Sequence, residues 1–226
     1  MIKDLQLTTV VDYPGNIASI VFVGGCNFRC GFCYNKDLVV NNLKSLDTDE
    51  VLFRLDKRKK YIDGVVVTGG EPTLWDGLED FCLKVKGLGL KVKIDSNGTR
   101  PLVLKNLIDK KLVNYIAMDV KGPFEKYNNI TSVTVDVEAI RKSIHLIITS
   151  GIDHEFRCTI HSKLLSCDDM ISIAGLVEGG KRLNFQMFKN LDVIDESLKF
   201  NSSYSKEELD FVINECNKII KTRLKV

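Results

Sequence analysis

Residues 17–35 read IASIVFVGGCNFRCGFCYN: a seven-residue, mostly apolar run from Ile17 to Val23 opens into a glycine-flanked loop carrying Cys26, Cys30 and Cys33. A run this short and this rich in β-branched residues reads as a strand of a parallel sheet. The same pattern recurs at GVVVT (Gly64–Thr68), LKVKID (Leu90–Asp95), YIAMDV (Tyr115–Val120), HEFRCTI (His154–Ile160) and LNFQMF (Leu183–Phe188), which makes six expected strands. Amphipathic segments lie between them, from about Thr48 to Lys60, Asp76 to Lys86, Pro101 to Lys110, Asp136 to Ser150 and Ser166 to Glu178. In SKEELDFVINECNKIIK, Ser205 and Glu208 stand at capping-box spacing, which predicts a last helix over about 205–222. Strand and helix in alternation predict an α/β fold. Six strands favour a partial, open (β/α)6 TIM-like barrel over a closed eight-fold one.

Composition bounds the function. A chain of 226 residues that is 44% hydrophobic can bury a substantial core, and its length suits a single domain spanning 1–226. Lys and Arg number 32 against 30 for Asp and Glu. That balance lacks the basic stripe of a nucleic-acid binder, and the run DKRKKY (Asp56–Tyr61) reads as the solvated end of a helix. The first residues, MIKDLQLTTVVDYPG, contain no long apolar stretch and no small-residue cleavage site, and no window approaches a membrane span. A cytoplasmic location is therefore expected, with neither nucleic acid nor membrane as partner. The seven cysteines are odd in number, and three crowd too closely for a disulfide framework. Metal chemistry in a reducing compartment accounts for both facts.

The polar residues fall at particular places. The cysteine loop follows the first strand, GGEPT the second, SNG the third and KGP the fourth; Arg157 lies in the fifth, and the sixth ends in QMFKN. In a sheet or barrel of parallel strands, the carboxyl ends share one face, and ligands bind there.

Cys26, Cys30 and Cys33 have the spacing C-x3-C-x2-C, with loop 24–35 able to fold their thiolates onto one group. Thiolates are the usual ligands of iron–sulfur clusters. Structural zinc is the alternative, but it generally takes four ligands as two separated pairs. Here Cys82, Cys158, Cys167 and Cys216 are dispersed singly, and His145, His154 and His161 form no motif. Three protein ligands leave one iron of a four-iron cluster open, and an open metal position marks catalysis over scaffolding.

CNFRCGFC followed by GGEP resembles the radical S-adenosylmethionine (SAM) superfamily. In that family three cysteines bind a 4Fe-4S cluster, and the amino and carboxylate groups of SAM chelate the fourth iron. DYPG before the first strand, CYN closing the loop, DSNG after the third strand and MDVKGP after the fourth narrow the resemblance to the activases of glycyl-radical enzymes. Among these, the short activating proteins of anaerobic ribonucleotide reductase match best. The resemblance implies Cys26, Cys30 and Cys33 as cluster ligands, Phe32 near the adenine and Asn35 shaping the SAM pocket. It assigns Gly69, Gly70 and Glu71 to the methionine amino group, Asp95, Ser96, Asp119 and Lys121 to the surroundings of the carboxylate and ribose, and Arg157 to the ribose side. A zwitterionic methionyl group needs a carboxylate for its ammonium and donors for its carboxylate, so the residue types suit the role. A strand-end turn or helix cap is the alternative for Asp95 and Asp119, and a plain tight turn for Gly69 and Gly70.

The mechanism implied is reductive cleavage of SAM to a 5′-deoxyadenosyl radical, which takes a hydrogen atom from a glycine of a partner protein. A flavodoxin or ferredoxin would supply the electron, and no side chain is required as acid or base, since the cofactors carry the chemistry. The chain departs from many relatives in lacking Pro-Gly after the fifth strand (TIHSKLLSCDD), and QMFKN matches the pyruvate formate-lyase activases only loosely. His161 and Lys189 read as surface residues, with lining of the substrate side as the alternative, and Trp75 as either a cluster cover or core packing. Two other functions remain open: action on a small molecule, as in 7-carboxy-7-deazaguanine synthase, or a non-catalytic iron–sulfur or zinc protein.

Overall fold

The computed structural model describes residues 1–199 and 204–225. Its strands are β1 (Ile2–Thr9), β2 (Ala18–Val23), β3 (Gly64–Gly69), β4 (Lys91–Ser96), β5 (Tyr115–Asp119), β6 (Asp153–Ile160), β7 (Leu183–Met187) and β8 (Thr222–Lys225). Its helices are α1 (Lys36–Val39), α2 (Thr48–Arg58), α3 (Leu78–Gly87), α4 (Pro101–Asp109), α5 (Tyr127–Thr131), α6 (Val137–Thr149), α7 (Cys167–Leu176) and α8 (Lys206–Asn217), with 3-10 turns at Pro72–Leu74, Phe124–Lys126 and Glu196–Leu198. The strands form one sheet in chain order. β1 runs antiparallel to β2, whereas the β2–β3, β3–β4, β6–β7 and β7–β8 pairs are parallel.

All six expected strands are present as β2 to β7, and two more lie at the sheet edges, so the count of six is corrected to eight among the described residues. β1 escapes a periodicity reading because it is an edge strand, largely exposed, with two irregularities in its register. β8 lies beyond the expected last helix. That helix stops at Asn217, short of residue 222, because the Asn217 side chain accepts the Thr222 amide at 2.9 Å and turns the chain into a strand. The capping box at Ser205 and Glu208 forms as its spacing implies, and Ser166 with Asp169 makes a second one on α7.

Contacts divide the chain into two compact units: residues 1–27, 37–96 and 100–117, and residues 28–36, 97–99 and 118–226. In the first, Tyr13 from the β1–β2 connection, Ala18 and Ile20 of β2, Val66 of β3, and Tyr115 and Ala117 of β5 form a buried cluster. In the second, Phe156, Cys158 and Ile160 of β6 are buried, as are Leu183 and Phe185 of β7. Among the described residues, no helix is long and apolar enough to cross a membrane.

Candidate active site

In the first unit, the turn after β3 is pressed against the start of the cysteine loop. The Gly70 amide donates to the Val23 carbonyl and the Glu71 amide to the Gly25 carbonyl, both at 2.8 Å. Gly69 has φ +118°, and a Cβ there would lie 2.5 Å from the Val23 oxygen; one on Gly70 would lie 2.0 Å from the Gly25 oxygen. Two glycines are therefore required for different reasons, a left-handed backbone at Gly69 and close approach at both. Beyond the turn, Glu71 is only 1% exposed. Its Oε1 accepts from the Thr73 amide at 3.1 Å and from the Ser96 hydroxyl at 2.8 Å. Sequence reasoning assigned Glu71 and Ser96 separately; the structure joins them, with Thr73 as an unforeseen third member.

Asp95, the first residue of the DSNG stretch, is ion-paired with Lys93. Lys93 is 1% exposed, and its ammonium lies 5.9 Å from the centre of the Tyr115 ring. The lysine was missed. In LKVKID, however, strand alternation puts Lys91, Lys93 and Asp95 on one face, so the charge pair was visible in the spacing. Cys26 is half-buried, and its amide donates to the Val39 carbonyl at 3.3 Å. Trp75 packs against Phe81 of α3 with ring centres 5.4 Å apart.

The second unit holds the middle of the loop. The Cys33 amide donates to the Cys30 carbonyl at 3.0 Å, a tight turn that draws these two residues together. Phe32, between them, is buried, and the Lys121 ammonium lies 5.6 Å from its ring centre. Asn35 is half-buried just ahead of α1. Asp119, at the end of β5, receives Arg157 Nε at 2.8 Å on one oxygen and Lys121 Nζ at 3.1 Å on the other. Burial opposes the charge on Asp119, but Arg157 and Lys121 outweigh it and hold the carboxyl well below the usual carboxylate range. Burial likewise opposes the charge on Lys121, and Asp119, with the thiolate forms of Cys30 and Cys33, overrides it and raises the ammonium. The Tyr127 hydroxyl accepts the Lys121 amide at 3.1 Å. Gly98 of the DSNG turn has φ +79°, and a Cβ there would meet Met118 at 2.0 Å.

Not every expected surface residue is one. Lys189 is exposed, as read, and so is His145, but His161 is completely buried. Cys82, Cys158 and Cys216 are buried thiols. Among the described residues, no three His, Cys, Asp or Glu side chains surround a point where a single metal ion would sit. The donor chemistry is that of an iron–sulfur group: soft thiols on one short loop.

Residues 20–164 match the family model of the radical SAM superfamily. The chain is 33% identical over 196 residues to a Methanocaldococcus jannaschii protein named "Putative glycyl-radical enzyme activating enzyme", covering 84% of this chain and 81% of that one. It is 33% identical over 131 residues to a pyruvate formate-lyase-activating enzyme of Listeria monocytogenes, covering 53% of this chain and 52% of that one. Among solved structures, Streptococcus suis SuiB bound to S-adenosylmethionine superposes with a TM-score of 0.70 at 13% identity over 92% of this chain. This chain spans 52% of SuiB, so the likeness is one of fold, and it bears out the expected α/β radical SAM architecture. The chain belongs to the radical SAM superfamily, characterised by a 4Fe-4S cluster and SAM, and within it to the family of glycyl-radical enzyme activating enzymes.

Proposed function

We propose that this protein activates anaerobic ribonucleoside-triphosphate reductase in the cytoplasm by generating a glycyl radical on it, drawing electrons from a flavodoxin or ferredoxin. One observation carries this reading most: a chain similar over 84% of its length to an activating-enzyme relative gathers Cys30, Cys33, Phe32, Asp119, Lys121 and Arg157 about one loop. Cys26, Cys30 and Cys33 hold the cluster. A cluster bound there would supply one electron for the reductive cleavage of SAM to methionine and a 5′-deoxyadenosyl radical.

The chain's own residues bind and orient. Glu71, already aligned by Thr73 and Ser96, accepts the methionine ammonium beside the Gly69–Gly70 backbone. Lys121 and Arg157 keep Asp119 ionised and fixed, and together they present both signs of charge to the carboxylate and ribose. Phe32 offers its backbone to the adenine, Asn35 closes the loop side of the pocket, and Asp95 is set by Lys93. No side chain acts as acid or base, because a hydrogen atom is transferred in place of a proton.

The test is electron paramagnetic resonance of the candidate reductase after anaerobic incubation with this protein, SAM and reduced flavodoxin. A glycyl-radical doublet that requires all components supports the assignment. Its absence with the reductase, but presence with pyruvate formate-lyase, would move the protein to another glycyl-radical partner.

A further inference from the structure

The segment after β7, residues 189–199, is fastened to the cysteine loop by main-chain bonds. The Ile194 amide donates to the Cys33 carbonyl at 3.1 Å and the Asp195 amide to the Gly31 carbonyl at 2.8 Å. Lys36 adds an ion pair with Asp192 at 2.7 Å. Leu198 and Asp195 close over Gly31, where an added Cβ would stand 3.3 Å from Leu198 Cδ1 and 3.0 Å from Asp195 Cβ. Two side chains of this strap, Val193 and Leu198, are buried. Its regular structure is the single turn Glu196–Leu198, and most of its side chains are exposed.

Its anchor is His161, immediately after β6. The ring is wholly buried and meets Phe188 edge-on, with centres 4.9 Å apart. Nδ1 lies 3.1 Å from the Lys163 amide nitrogen, which can only donate, so Nδ1 accepts. The ring proton is therefore on Nε2, which donates to the Leu198 carbonyl at 2.9 Å. Lys163 makes a second tie, from its ammonium to the Ser197 carbonyl at 2.8 Å. Both nitrogens of a buried histidine are thus committed to backbone, one of them to the strap.

We infer that His161 is a positioning residue for the cysteine loop: it fixes Leu198, Leu198 fixes the strap, and the strap's two amides fix the carbonyls of Gly31 and Cys33. The clamp stands on geometry alone. Its consequence for the cluster rests on the reading of Cys30 and Cys33 as ligands.

His161→Leu preserves apolar volume and removes both nitrogens, and Lys163→Met cuts the second tie from the surface without entering the core. Hydrogen exchange on the cluster-free protein reads the Ile194 and Asp195 amides. Iron release to a chelator from anaerobically reconstituted protein reads the cluster. In His161→Leu the two amides should exchange about tenfold faster or more, with the β6–β7 amides unchanged and iron released severalfold faster. Lys163→Met should shift both readouts the same way by less. Unchanged exchange at Ile194 and Asp195 in both variants would overturn the clamp. So would acceleration throughout β6 and β7 in His161→Leu with Lys163→Met silent, which would make His161 an ordinary core residue. Faster exchange with unaltered iron release would overturn the link from clamp to cluster. If the wild type assembled no cluster, the cluster reading would fall, and exchange would still decide the clamp.

Discussion

Replacing Gly70 by alanine tests how closely the GGEP turn approaches the cysteine loop. The new Cβ would stand 2.0 Å from the Gly25 carbonyl oxygen and 2.6 Å from its carbon, both backbone atoms that cannot swing aside. A carbon and a carbonyl oxygen tolerate about 3.3 Å, so the two segments must part by roughly 1 Å. That separation breaks the 2.8 Å bond from the Glu71 amide to Gly25. Overpacking costs about 1–3 kcal/mol and the lost hydrogen bond about 0.5–1.5 kcal/mol, which gives about 1.5–4.5 kcal/mol together. Urea unfolding followed by the fluorescence of the single tryptophan, Trp75, reports on this unit. The midpoint should fall by about 1 M or more. Gly87→Ala is the control: a Cβ at this end residue of α3 meets nothing within 4 Å, so the variant should be neutral or slightly more stable. If Gly70→Ala unfolded within about 0.5 kcal/mol of the wild type, the two segments could not be as close as described.

Lys93→Met would remove the ammonium paired with Asp95, and breaking a buried pair from one side costs about 3–5 kcal/mol; urea unfolding measures it, and a loss under about 1 kcal/mol would mean the pair behaves as a surface one. Asp119→Asn should weaken SAM binding by about tenfold or more, read by equilibrium binding to reconstituted protein, while the cluster's iron content stays unchanged. Alkaline pH should destabilise the fold. Burial pushes the Cys82 and Cys158 thiols up to about 12 and Cys216 up to about 11, against about 8.5 when unfolded. Folded values above unfolded ones mean stability that is full below about pH 8.5 and is lost as pH rises toward 11–12. Urea midpoints that stay constant from pH 8.5 to 11 would contradict this, and Cys158→Ala should flatten the decline.

Much of the fold was legible because its core strands are short apolar runs bounded by glycine and polar residues, from Ile17–Val23 to Leu183–Phe188. The edge strands were not. β1 carries Lys3, Asp4 and Gln6 with an interrupted register, and β8 follows a helix whose end is set by one asparagine side chain. Neither feature leaves a hydrophobic period. The site divides in the same way. Motif residues such as Glu71, Asp119 and the cysteines were found as individuals, whereas the partners that orient them come from elsewhere in the chain: Ser96 for Glu71, Arg157 for Asp119, and residues 194–195 for the cysteine loop. Lys93 was recoverable from strand alternation alone. His161 was not, since a lone histidine after a strand carries no sequence sign of burial; its role depends on Leu198, 37 residues away.

The most direct measurement is of 5′-deoxyadenosine released when the anaerobically reconstituted protein is reduced with dithionite and given SAM, with Cys30→Ser as the control. Cleavage by the wild type and none by the variant is the expected result. A wild-type protein that binds zinc, or assembles an iron–sulfur cluster whose spectrum SAM does not perturb and that cleaves no SAM even with the reductase present, would contradict radical SAM chemistry at this loop.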